Sequence, residues 1–506
     1  MAGHKDVNET VKIRRRVLTE VARLALHDNL AEGIDDLPEY LLSMGNQRYR
    51  CCEYKEKAIY TERIKLALGL RQKKAYKKRR LSELLPIALS FPDLENNQIN
   101  IIDIACEGCP INKFFVTNAC QNCLAHACQN ACPRDAITIV QKQAYIDQNK
   151  CVECGLCKKS CPYSAIVEIN RPCEASCQIN AIKANTDRKA VIDYEKCVEC
   201  GACVMGCPYA AISNPSQILR VINYLKTEKV IAVLAPAFIG QLGQRDNPGP
   251  IIKALEMLGF SKVVEAAMGA DIVSLEESAE FLAKVPGRLD FMTTSCCPAF
   301  VNLVKKHYPD LEKNISSTVS PMLAAAKYLK QITPRARIVF IGPCIAKKTE
   351  AWQNKIIDAV LTFEELTAMF VAAGINVGEV ESDNIKVNSN ISGSARGFAQ
   401  AGGVAKAVEK ALDGENVVWK PLSAQGLNEC SEILNELTKG RLNYNFLEGM
   451  ACTGGCLGGP GTIIDGKMTK RYLQTFSQNC QAQSPLDNGE AEEIRRNLGT
   501  NLHKSR

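Results

Sequence analysis

Apolar residues recur at helical spacing through the first part of the chain. Between residues 11 and 30 they fall every three or four positions, and Asn8 stands where its side chain can cap the first turn. A second helix is predicted over residues 53–70. Residues 1–100 are therefore predicted to form an α-helical N-terminal domain.

From about residue 225 the pattern changes to short, continuous apolar runs separated by amphipathic stretches. Such runs indicate buried strands that alternate with helices. The predicted strands are 230–234, 262–266, 337–341 and 356–363, and the clearest predicted helices are 251–258 and 404–412. We predict an α/β domain over residues 225–465, followed by a polar, partly helical tail over 466–506.

The region between these parts, residues 101–220, contains an internal repeat. The segment from Cys128 to Cys132, followed by Ala136 and Ile137, recurs from Cys173 to Cys177, followed by Ala181 and Ile182. Each copy runs into the sequence Lys-Cys-Val-Glu-Cys-Gly. Two tandem ferredoxin-like units explain the repeat, and the predicted fold class is α+β multidomain.

Length and composition restrict the class of protein. A chain of 506 residues is too long for one core, and 46% hydrophobic with 23% charged residues is typical of a globular protein. No apolar run reaches the roughly 18–20 residues of a membrane span, and the N-terminus lacks the apolar core of a secretory signal. The net charge of +7 is mild. We expect a cytoplasmic protein that binds neither nucleic acid nor membrane.

The 25 cysteines indicate metal binding. Without an export signal, closely spaced cysteine pairs favour metal ligation over disulfides. Zinc accepts such pairs, but the C-x2-C-x2-C-x3-C-P pattern, present twice, is typical of 4Fe–4S ferredoxins. Cys51 and Cys52 fall outside any ligand spacing and are interpreted as structural thiols.

Sixteen clustered cysteines suffice for four 4Fe–4S clusters, because each cube takes four thiolates. The fourth cysteine of each run is expected to serve a neighbouring cluster, although the exchange could differ. The predicted sets are Cys120, Cys123, Cys128 with Cys161; Cys151, Cys154, Cys157 with Cys132; Cys197, Cys200, Cys203 with Cys177; and Cys106, Cys109, Cys173 with Cys207. For Cys106 and Cys109, two free thiols remain the alternative, so three to four accessory clusters are expected.

Three further cysteine blocks lie in the α/β part. They read Thr-Ser-Cys-Cys-Pro from Thr294 to Pro298, Pro-Cys-Ile-Ala-Lys from Pro343 to Lys347, and Glu-Gly-Met-Ala-Cys-Thr-Gly-Gly-Cys from Glu448 to Cys456. In combination these blocks are highly specific, and residues 225–465 resemble the catalytic domain of the FeFe-hydrogenases. The helical front and the cysteine layout look most like the branch sometimes called group B.

The resemblance implies a two-lobed α/β catalytic domain that holds an H-cluster. This cofactor is a 4Fe–4S cube joined through one thiolate to a two-iron unit with CO, cyanide and a dithiolate bridge. By position, the implied cube ligands are Cys297, Cys344, Cys452 and Cys456, with Cys456 as the bridge.

The resemblance also implies roles for residues around the cofactor. Cys296 would relay protons, and Lys347 would donate a hydrogen bond to a cyanide. Met450 would pack against the two-iron unit, which the loop Ala235, Pro236 and Ala237 would line.

A proton route is implied from Cys296 through Glu280 and Ser316 to Glu277, although the two glutamates could be ordinary surface charges. The chain departs from the better-studied family pattern at several positions. Gly342 stands where a methionine is usual, Phe300 where a tryptophan is usual, and Ala237 where a serine is frequent.

The implied activity is that of a ferredoxin hydrogenase, which interconverts protons and H2 with electrons from ferredoxin or a similar carrier. Maturation proteins would have to supply the two-iron unit. Two other hypotheses are an electron-transfer subunit and a hydrogenase-like iron–sulfur assembly or sensor protein. Neither of these needs Cys296, Lys347 and Met450, all of which are present.

Overall fold

The N-terminal pattern forms helices, as predicted. The computed structural model describes residues 8–44, 52–91, 97–110, 113–242, 247–285, 287–381, 390–441 and 443–504. Asn8 caps the first helix, since its Oδ1 accepts a hydrogen bond of 3.1 Å from the amide of Val11. The helices are α1 (Glu9–Leu26), α2 (Leu30–Gly33), α3 (Leu37–Ser43), α4 (Glu53–Ala67) and α5 (Leu81–Leu89). Cys52 precedes α4, and Cys51 lies outside the described residues.

The cysteine-rich region consists of short antiparallel strand pairs and one-turn helices. The repeat found in the sequence appears as two equivalent hairpins, in which Ile137 pairs with Ile146 and Ile182 with Ile192. The strands are β1 (Asn100–Ile101), β2 (Phe114–Val116), β3 (Ile137–Val140), β4 (Gln143–Ile146), β5 (Ile166–Glu168), β6 (Ile182–Ala184), β7 (Ala190–Ile192) and β8 (Ile212–Ser213). The helices are α6 (Ala127–Asn130), α7 (Leu156–Ser160), α8 (Pro172–Ala175) and α9 (Ala202–Gly206).

Two separate parallel sheets organise the rest of the chain. The first has the strand order β10-β9-β12-β13 and the second has the order β11-β15-β14. All of their neighbouring strands run parallel, as expected for strands connected by helices. The strands are β9 (Val230–Leu234), β10 (Lys262–Glu265), β11 (Met292–Thr293), β12 (Arg337–Gly342), β13 (Ala359–Thr362), β14 (Pro421–Gln425) and β15 (Phe446–Met450).

Helices cover both sheets. Those between α9 and β13 are α10 (Ile218–Thr227), α11 (Gly249–Met257), α12 (Ala267–Lys284), α13 (Pro298–His307), α14 (Pro321–Ile332) and α15 (Ala346–Asn354). Those that follow are α16 (Phe363–Ala372), α17 (Gly393–Arg396), α18 (Gly403–Ala411), α19 (Leu427–Thr438), α20 (Gly466–Gln478) and α21 (Gly489–Leu498). Among the described residues, no helix is both long and apolar enough to span a bilayer.

The four predicted strands all belong to the first sheet, and their bounds differ from the observed ones by at most three residues at either end. The second sheet was not predicted, because its strands are two to five residues long and one of them ends inside a cysteine block. The tail is helical, and α21 packs against α12, whereas α20 packs against α17.

Helix α1 contacts more than its own helical neighbours. It packs along α16 of the α/β part. Arg14 binds both carboxylate oxygens of Glu364 at 2.7 and 3.0 Å, and the same Nη2 that donates to Glu364 also reaches the sulfur of Met205 in the cysteine-rich region. The Glu364 side chain is only 9% exposed. One helix thereby joins the N-terminal, cysteine-rich and α/β parts.

The buried pair of Lys348 and Glu365 is expected to be important for stability. The Lys348 ammonium donates to Glu365 at 2.7 Å and to the carbonyl of Pro215 at 3.0 Å, and its side chain is 0% exposed. Replacement by Met keeps the volume and leaves the Glu365 carboxylate buried without a cation. Removing one partner of a buried pair typically costs about 3–5 kcal/mol.

We therefore expect Lys348→Met to lower the melting temperature clearly, as measured anaerobically by circular dichroism. Lys253→Ala, which removes a half-exposed lysine paired with Glu256, serves as the control. Equal melting temperatures for Lys348→Met and the control would contradict this role of the pair.

Candidate active site

The three cysteine blocks converge because of the direction of the strands that precede them. Cys296 and Cys297 follow β11, Cys344 follows β12, and Cys452 and Cys456 follow β15. Loops at the carboxyl ends of parallel strands are where α/β proteins place their ligands. The two sheets therefore direct all three blocks to one place.

The blocks surround an apolar cavity of about 90 Å³. The loop predicted to line the cofactor comes from β9 and forms one wall. The lining residues from sequence predictions are Ala235, Pro236, Ala237, Cys296, Cys297, Cys344, Lys347, Met450 and Cys456. Further lining residues that were not predicted include Phe340, Phe398, Met322 and Pro321.

The four predicted ligand thiols interact with one another. Burial raises the pKa of Cys344 to about 11 and of Cys456 to about 12, and the charge of Cys297 adds to both shifts. Burial also raises the pKa of Cys452, with contributions from Cys344, Cys297 and Cys456. Three thiols whose ionisation is opposed by burial and by their neighbours suit a cationic metal cluster, which stabilises thiolates.

The donor set has the composition that a 4Fe–4S cube requires. A cube takes four thiolates, and Cys297, Cys344, Cys452 and Cys456 neighbour one another electrostatically. The residues present therefore fit the implied cube, and the adjoining cavity offers room for a further group.

Lys347 is held in place by a residue that the sequence motif does not include. Its ammonium donates to Glu350 at 2.6 Å and to the carbonyl of Cys296 at 3.1 Å. Burial opposes its charge, but Glu350 outweighs burial and raises the pKa of Lys347. Glu350 lies three residues further along α15, which is the spacing that a search for helical ion pairs would have found.

Gly342 is explained by close packing beside the cavity. A Cβ at this position would lie 2.8 Å from the ring of Phe340 and 2.9 Å from the Cβ of Ala235. Contacts under 3 Å force a neighbour to move. The Phe340 ring, which lines the cavity, thus supplies bulk where the better-studied family members carry a methionine at position 342.

Glu448, the first residue of the third block, is a positioning residue. Its carboxylate accepts hydrogen bonds from the amides of Gly402 at 2.9 Å and Ala405 at 2.8 Å, at the start of α18. Burial raises the pKa of Glu448 to about 7, and these bonds limit the rise. The contact ties β15 to α18 and fixes the loop that carries Cys452 and Cys456.

Cys296 adjoins Glu277, which reverses the order predicted for the two glutamates. Burial raises the pKa of Cys296 well above its usual value, and Glu277 is the strongest neighbouring charge. Burial likewise raises the pKa of Glu277 to about 8, with Glu280 as the next cause. The prediction took Glu280 as the first carboxyl after Cys296, because sequence spacing cannot tell which end of a helix segment faces a site.

Glu277 is completely buried, and its carboxyl oxygens accept no hydrogen bond of normal geometry from the described residues. A pKa near 8 means that this carboxyl carries a proton at neutral pH. A protonated carboxyl with unused hydrogen-bonding capacity, next to a thiol, can pass a proton in either direction.

Glu280 lies one turn further along α12. Unlike Glu277, it accepts several hydrogen bonds and has a lowered pKa. It accepts hydrogen bonds from Ser316 Oγ at 2.7 Å and Thr318 Oγ1 at 3.0 Å. Burial alone would raise the pKa of Glu280, but Lys284, Ser317 and Ser316 outweigh it and lower the pKa to about 2. Ser316 is also close enough to lower the pKa of Glu277, so it lies between the two carboxyls.

Within each predicted set of accessory cysteines, several members lie near one another, and the complete ligand sets stay predictions. Cys128 interacts electrostatically with Cys120 and Cys161, and a small cavity is lined by Cys132, Cys151, Cys154 and Cys157. Cys203 interacts with Cys200, Cys197 and Cys177. Cys109 interacts with Cys106 and Cys207, and Cys173 with Cys207.

One accessory set adjoins the main cavity. Cys200 interacts electrostatically with Cys344, and Cys452 interacts with Cys200. The set of Cys177, Cys197, Cys200 and Cys203 is therefore the link between the ferredoxin-like region and the four cavity thiols. His126 begins α6 with a φ of +41° and belongs to none of these sets.

Comparisons with known proteins agree with this geometry. The family model for the iron only hydrogenase large subunit, C-terminal domain, matches residues 228–460, and that for the 4Fe-4S binding domain matches residues 144–167 and 190–213. Iron hydrogenase 1 of Clostridium pasteurianum is 29% identical over 306 residues, which are 49% of this chain and 53% of the relative. The alignment thus spans about half of that relative's length.

Other relatives carry names that indicate different functions. The cytosolic iron-sulfur assembly component 3 of Bos taurus is 23% identical over 306 residues, covering 49% of this chain and 64% of that protein.

A solved structure of an FeFe-hydrogenase variant from Chlamydomonas reinhardtii has a TM-score of 0.48 at 22% identity and covers 57% of this chain and 98% of that one.

The periplasmic Fe hydrogenase large subunit of Nitratidesulfovibrio vulgaris is 30% identical over 376 residues, which are 63% of this chain and 86% of that protein. A relative of this identity that is matched over most of its own length shows the family. The chain belongs to the iron-only, or FeFe, hydrogenase family.

Proposed function

We propose that this chain is a hydrogenase that interconverts H2 with protons and electrons. The observation that carries the proposal is the shared cavity of Cys296, Lys347 and the cube thiols Cys297, Cys344 and Cys456. An electron-transfer subunit has no need of a buried thiol and a buried ammonium in one apolar cavity. When bound, the H-cluster supplies the metal site at which protons and electrons combine.

Four thiols would hold the cube, with Cys456 shared by the two-iron unit: Cys297, Cys344, Cys452 and Cys456. The Lys347 ammonium, oriented by Glu350, offers a charge-assisted hydrogen bond to an anionic ligand in the cavity. Met450, Phe340 and the loop Ala235–Ala237 exclude water from the remaining walls.

The proposed proton route follows from the different protonation states of Glu277, which is protonated, and Glu280, which is ionised. The neutral Cys296 thiol exchanges a proton between the cavity and the protonated Glu277 carboxyl. Ser316 then connects Glu277 to the ionised Glu280, which is the carboxylate in contact with Lys284 and Ser317. A proton that leaves the cavity is transferred to the Glu280 carboxylate, and a proton that enters the cavity comes from the Glu280 carboxyl.

Electrons would enter through the accessory clusters and reach the cube from the set containing Cys200. We propose a ferredoxin or a similar low-potential carrier as the external partner, and dedicated maturation proteins for the two-iron unit. The group B assignment and a cytoplasmic location remain predictions.

The second candidate function is that of an iron–sulfur assembly protein, which the Bos taurus relative's name suggests. In that case the cube would form without a two-iron unit. The test is hydrogen evolution from reduced viologen by anaerobic protein loaded with the two-iron cofactor. Activity would support the hydrogenase, whereas absence of CO and cyanide infrared bands after competent loading would favour the assembly protein.

Cys456→Ala is expected to abolish both hydrogen evolution and the CO and cyanide infrared bands, because it removes the thiolate shared by the two iron units. Cys430→Ala is the control, since Cys430 is a buried thiol of α19 that is not among the residues lining the cavity. Normal turnover by Cys456→Ala would refute the ligand assignment.

Cys296→Ser is expected to keep the infrared bands and lose turnover by about 10²–10⁴-fold, the usual effect of losing a general acid or base. The hydroxyl is a much weaker acid than the thiol, although the two are similar in size. Viologen-linked hydrogen evolution and infrared spectra of the same samples measure the two effects separately. Retained turnover in this variant would mean that protons bypass Cys296.

Glu277→Gln is expected to stabilise the protein progressively as the pH rises. The pKa of Glu277 is about 8 in the fold, against 4.5 for the free group, so the native state loses stability as the pH rises between these values. Glutamine mimics the protonated carboxyl and removes this loss.

The melting temperature of Glu277→Gln relative to the unaltered protein should therefore increase between pH 5 and pH 8, in protein without the two-iron unit. Glu276→Gln, on the outer side of the same helix, provides a comparison. A constant difference across this range would show that Glu277 is ionised in the fold.

A further inference from the structure

The C-terminal segment lies against the outer end of the proton route. The amide of Val319 donates to the carbonyl of Leu502 at 2.7 Å, and that of Lys504 donates to the carbonyl of Ser317 at 2.8 Å. Thr318 and His503 form an antiparallel bridge. Residues 502–504 are thereby held in strand-like register beside the serines and threonine that contact Glu280.

A continuous set of hydrogen bonds leaves Glu280 through this segment. Ser317 Oγ lies 2.7 Å from Glu280 Oε1 and 2.9 Å from His503 Nδ1. On the other side of the ring, His503 Nε2 lies 3.0 Å from Glu276 Oε1. The His503 side chain is 34% exposed, so this end of the set reaches water.

We propose that Ser317 and His503 form the exit of the proton route, with Glu276 orienting the imidazole. The inference rests on the proposed hydrogenase function, because without it the route has no protons to carry. Neither residue belongs to the three cysteine blocks or to the predicted route.

The contacts permit two proton arrangements that contain the same number of protons. In the first, protonated Glu280 donates to Ser317, Ser317 donates to Nδ1 of neutral His503, and Nε2–H donates to Glu276. In the second, Glu280 is ionised, Ser317 donates to it, and the imidazolium donates from both nitrogens.

One concerted shift converts the first arrangement into the second. The Glu280 O–H bond breaks as a new Ser317 O–H bond forms, and the original Ser317 O–H bond breaks as the Nδ1–H bond forms. No heavy atom has to move. His503 then releases its Nε2 proton to water, and the neutral imidazole exchanges its remaining proton through water from Nδ1 to Nε2. The hydroxyl of Ser317 rotates before the next transfer.

Lys284 is the competing exit, because its ammonium also binds Glu280. An ammonium has three donors and no acceptor, so it cannot take a proton from Glu280 while it remains charged. A hydroxyl and an imidazole both donate and accept. The path through Ser317 and His503 therefore consists of groups that can each receive a proton and pass it on.

The charges around His503 are mixed. Glu276 contacts its ring, and Arg495 of α21 binds the other oxygen of Glu276 at 3.0 Å. Glu280 and Lys284 lie beyond Ser317, Lys504 is the next residue along the chain, and Lys327 of α14 binds the carbonyl of Asn501 at 2.6 Å. The imidazole therefore has Glu276 on one side and, beyond Ser317, Glu280 on the other, and the basic groups lie further out.

The test compares His503→Ala with the unaltered protein, both loaded with the cofactor. We expect hydrogen evolution to fall by about tenfold, less than for a group at the reacting atoms, and added imidazole to restore most of it. Leu502→Ala is the matched control: it loosens the buried neighbour of His503 but keeps every relay group, so imidazole should not change its rate.

A second readout does not depend on turnover. In protein without the two-iron unit, ¹⁵N NMR of the ring nitrogens should show Ser317→Ala changing mainly the Nδ1 signal of His503 and Glu276→Gln mainly the Nε2 signal. The chain has five histidines, and His503→Ala identifies the signals by their loss.

Full turnover by His503→Ala, or a loss that imidazole does not restore, would overturn the inference. A loss in Lys284→Met alone would assign the exit to the lysine instead. If the unaltered protein evolves no hydrogen, the proposed function fails, and the NMR result still decides whether His503 makes both contacts.

Discussion

Charge in an apolar interior is the constraint on which the rest of the structure depends. Burial raises the pKa values of Cys344, Cys452 and Cys456, and neighbouring thiolates raise them further, so a cationic cluster that shares their site favours their ionisation. Lys347 is the ammonium of this cavity, and it is in turn balanced by Glu350. The cavity is thus arranged so that each buried charge has a partner, in keeping with the high cost of an isolated one.

Much of the fold follows from local sequence patterns. The first sheet was predicted because its strands are continuous apolar runs, and the two hairpins of the ferredoxin-like region were anticipated from the repeat at Cys128 and Cys173. The second sheet escaped prediction because β11 has only two residues, and because the polar residues Ser423 and Glu448 interrupt β14 and β15, which are therefore not continuous apolar runs. Such strands depend on their neighbours rather than on their own sequence.

Some residues of the site were predicted from the sequence and others were not, for a similar reason. Cysteine spacing reveals which thiols can share a cluster, since the loops that carry them are short. The direction of the carboxyl route was reversed because Glu277 and Glu280 are equivalent in sequence and differ only in what packs against α12. Glu350 was missed because the motif ends at Lys347, although its helical spacing is visible in the sequence. Ser317 and His503 were missed since their contacts depend on tertiary folding over separations of 37 and 186 residues.

Helix α1 limits how the ferredoxin-like region can move. The opposite pKa shifts of Glu277 and Glu280 limit how the charge beside the cavity can change with pH. Arg14 connects α1 to Glu364 and to Met205, which restricts movement of the ferredoxin-like region relative to the cavity. The pKa is about 8 for Glu277 and about 2 for Glu280, so between these pH values the pair carries one negative charge, which is on Glu280. A redox centre in the cavity would therefore experience a constant electrostatic potential from this pair across the acidic and neutral range, whatever the pH of the surrounding solvent.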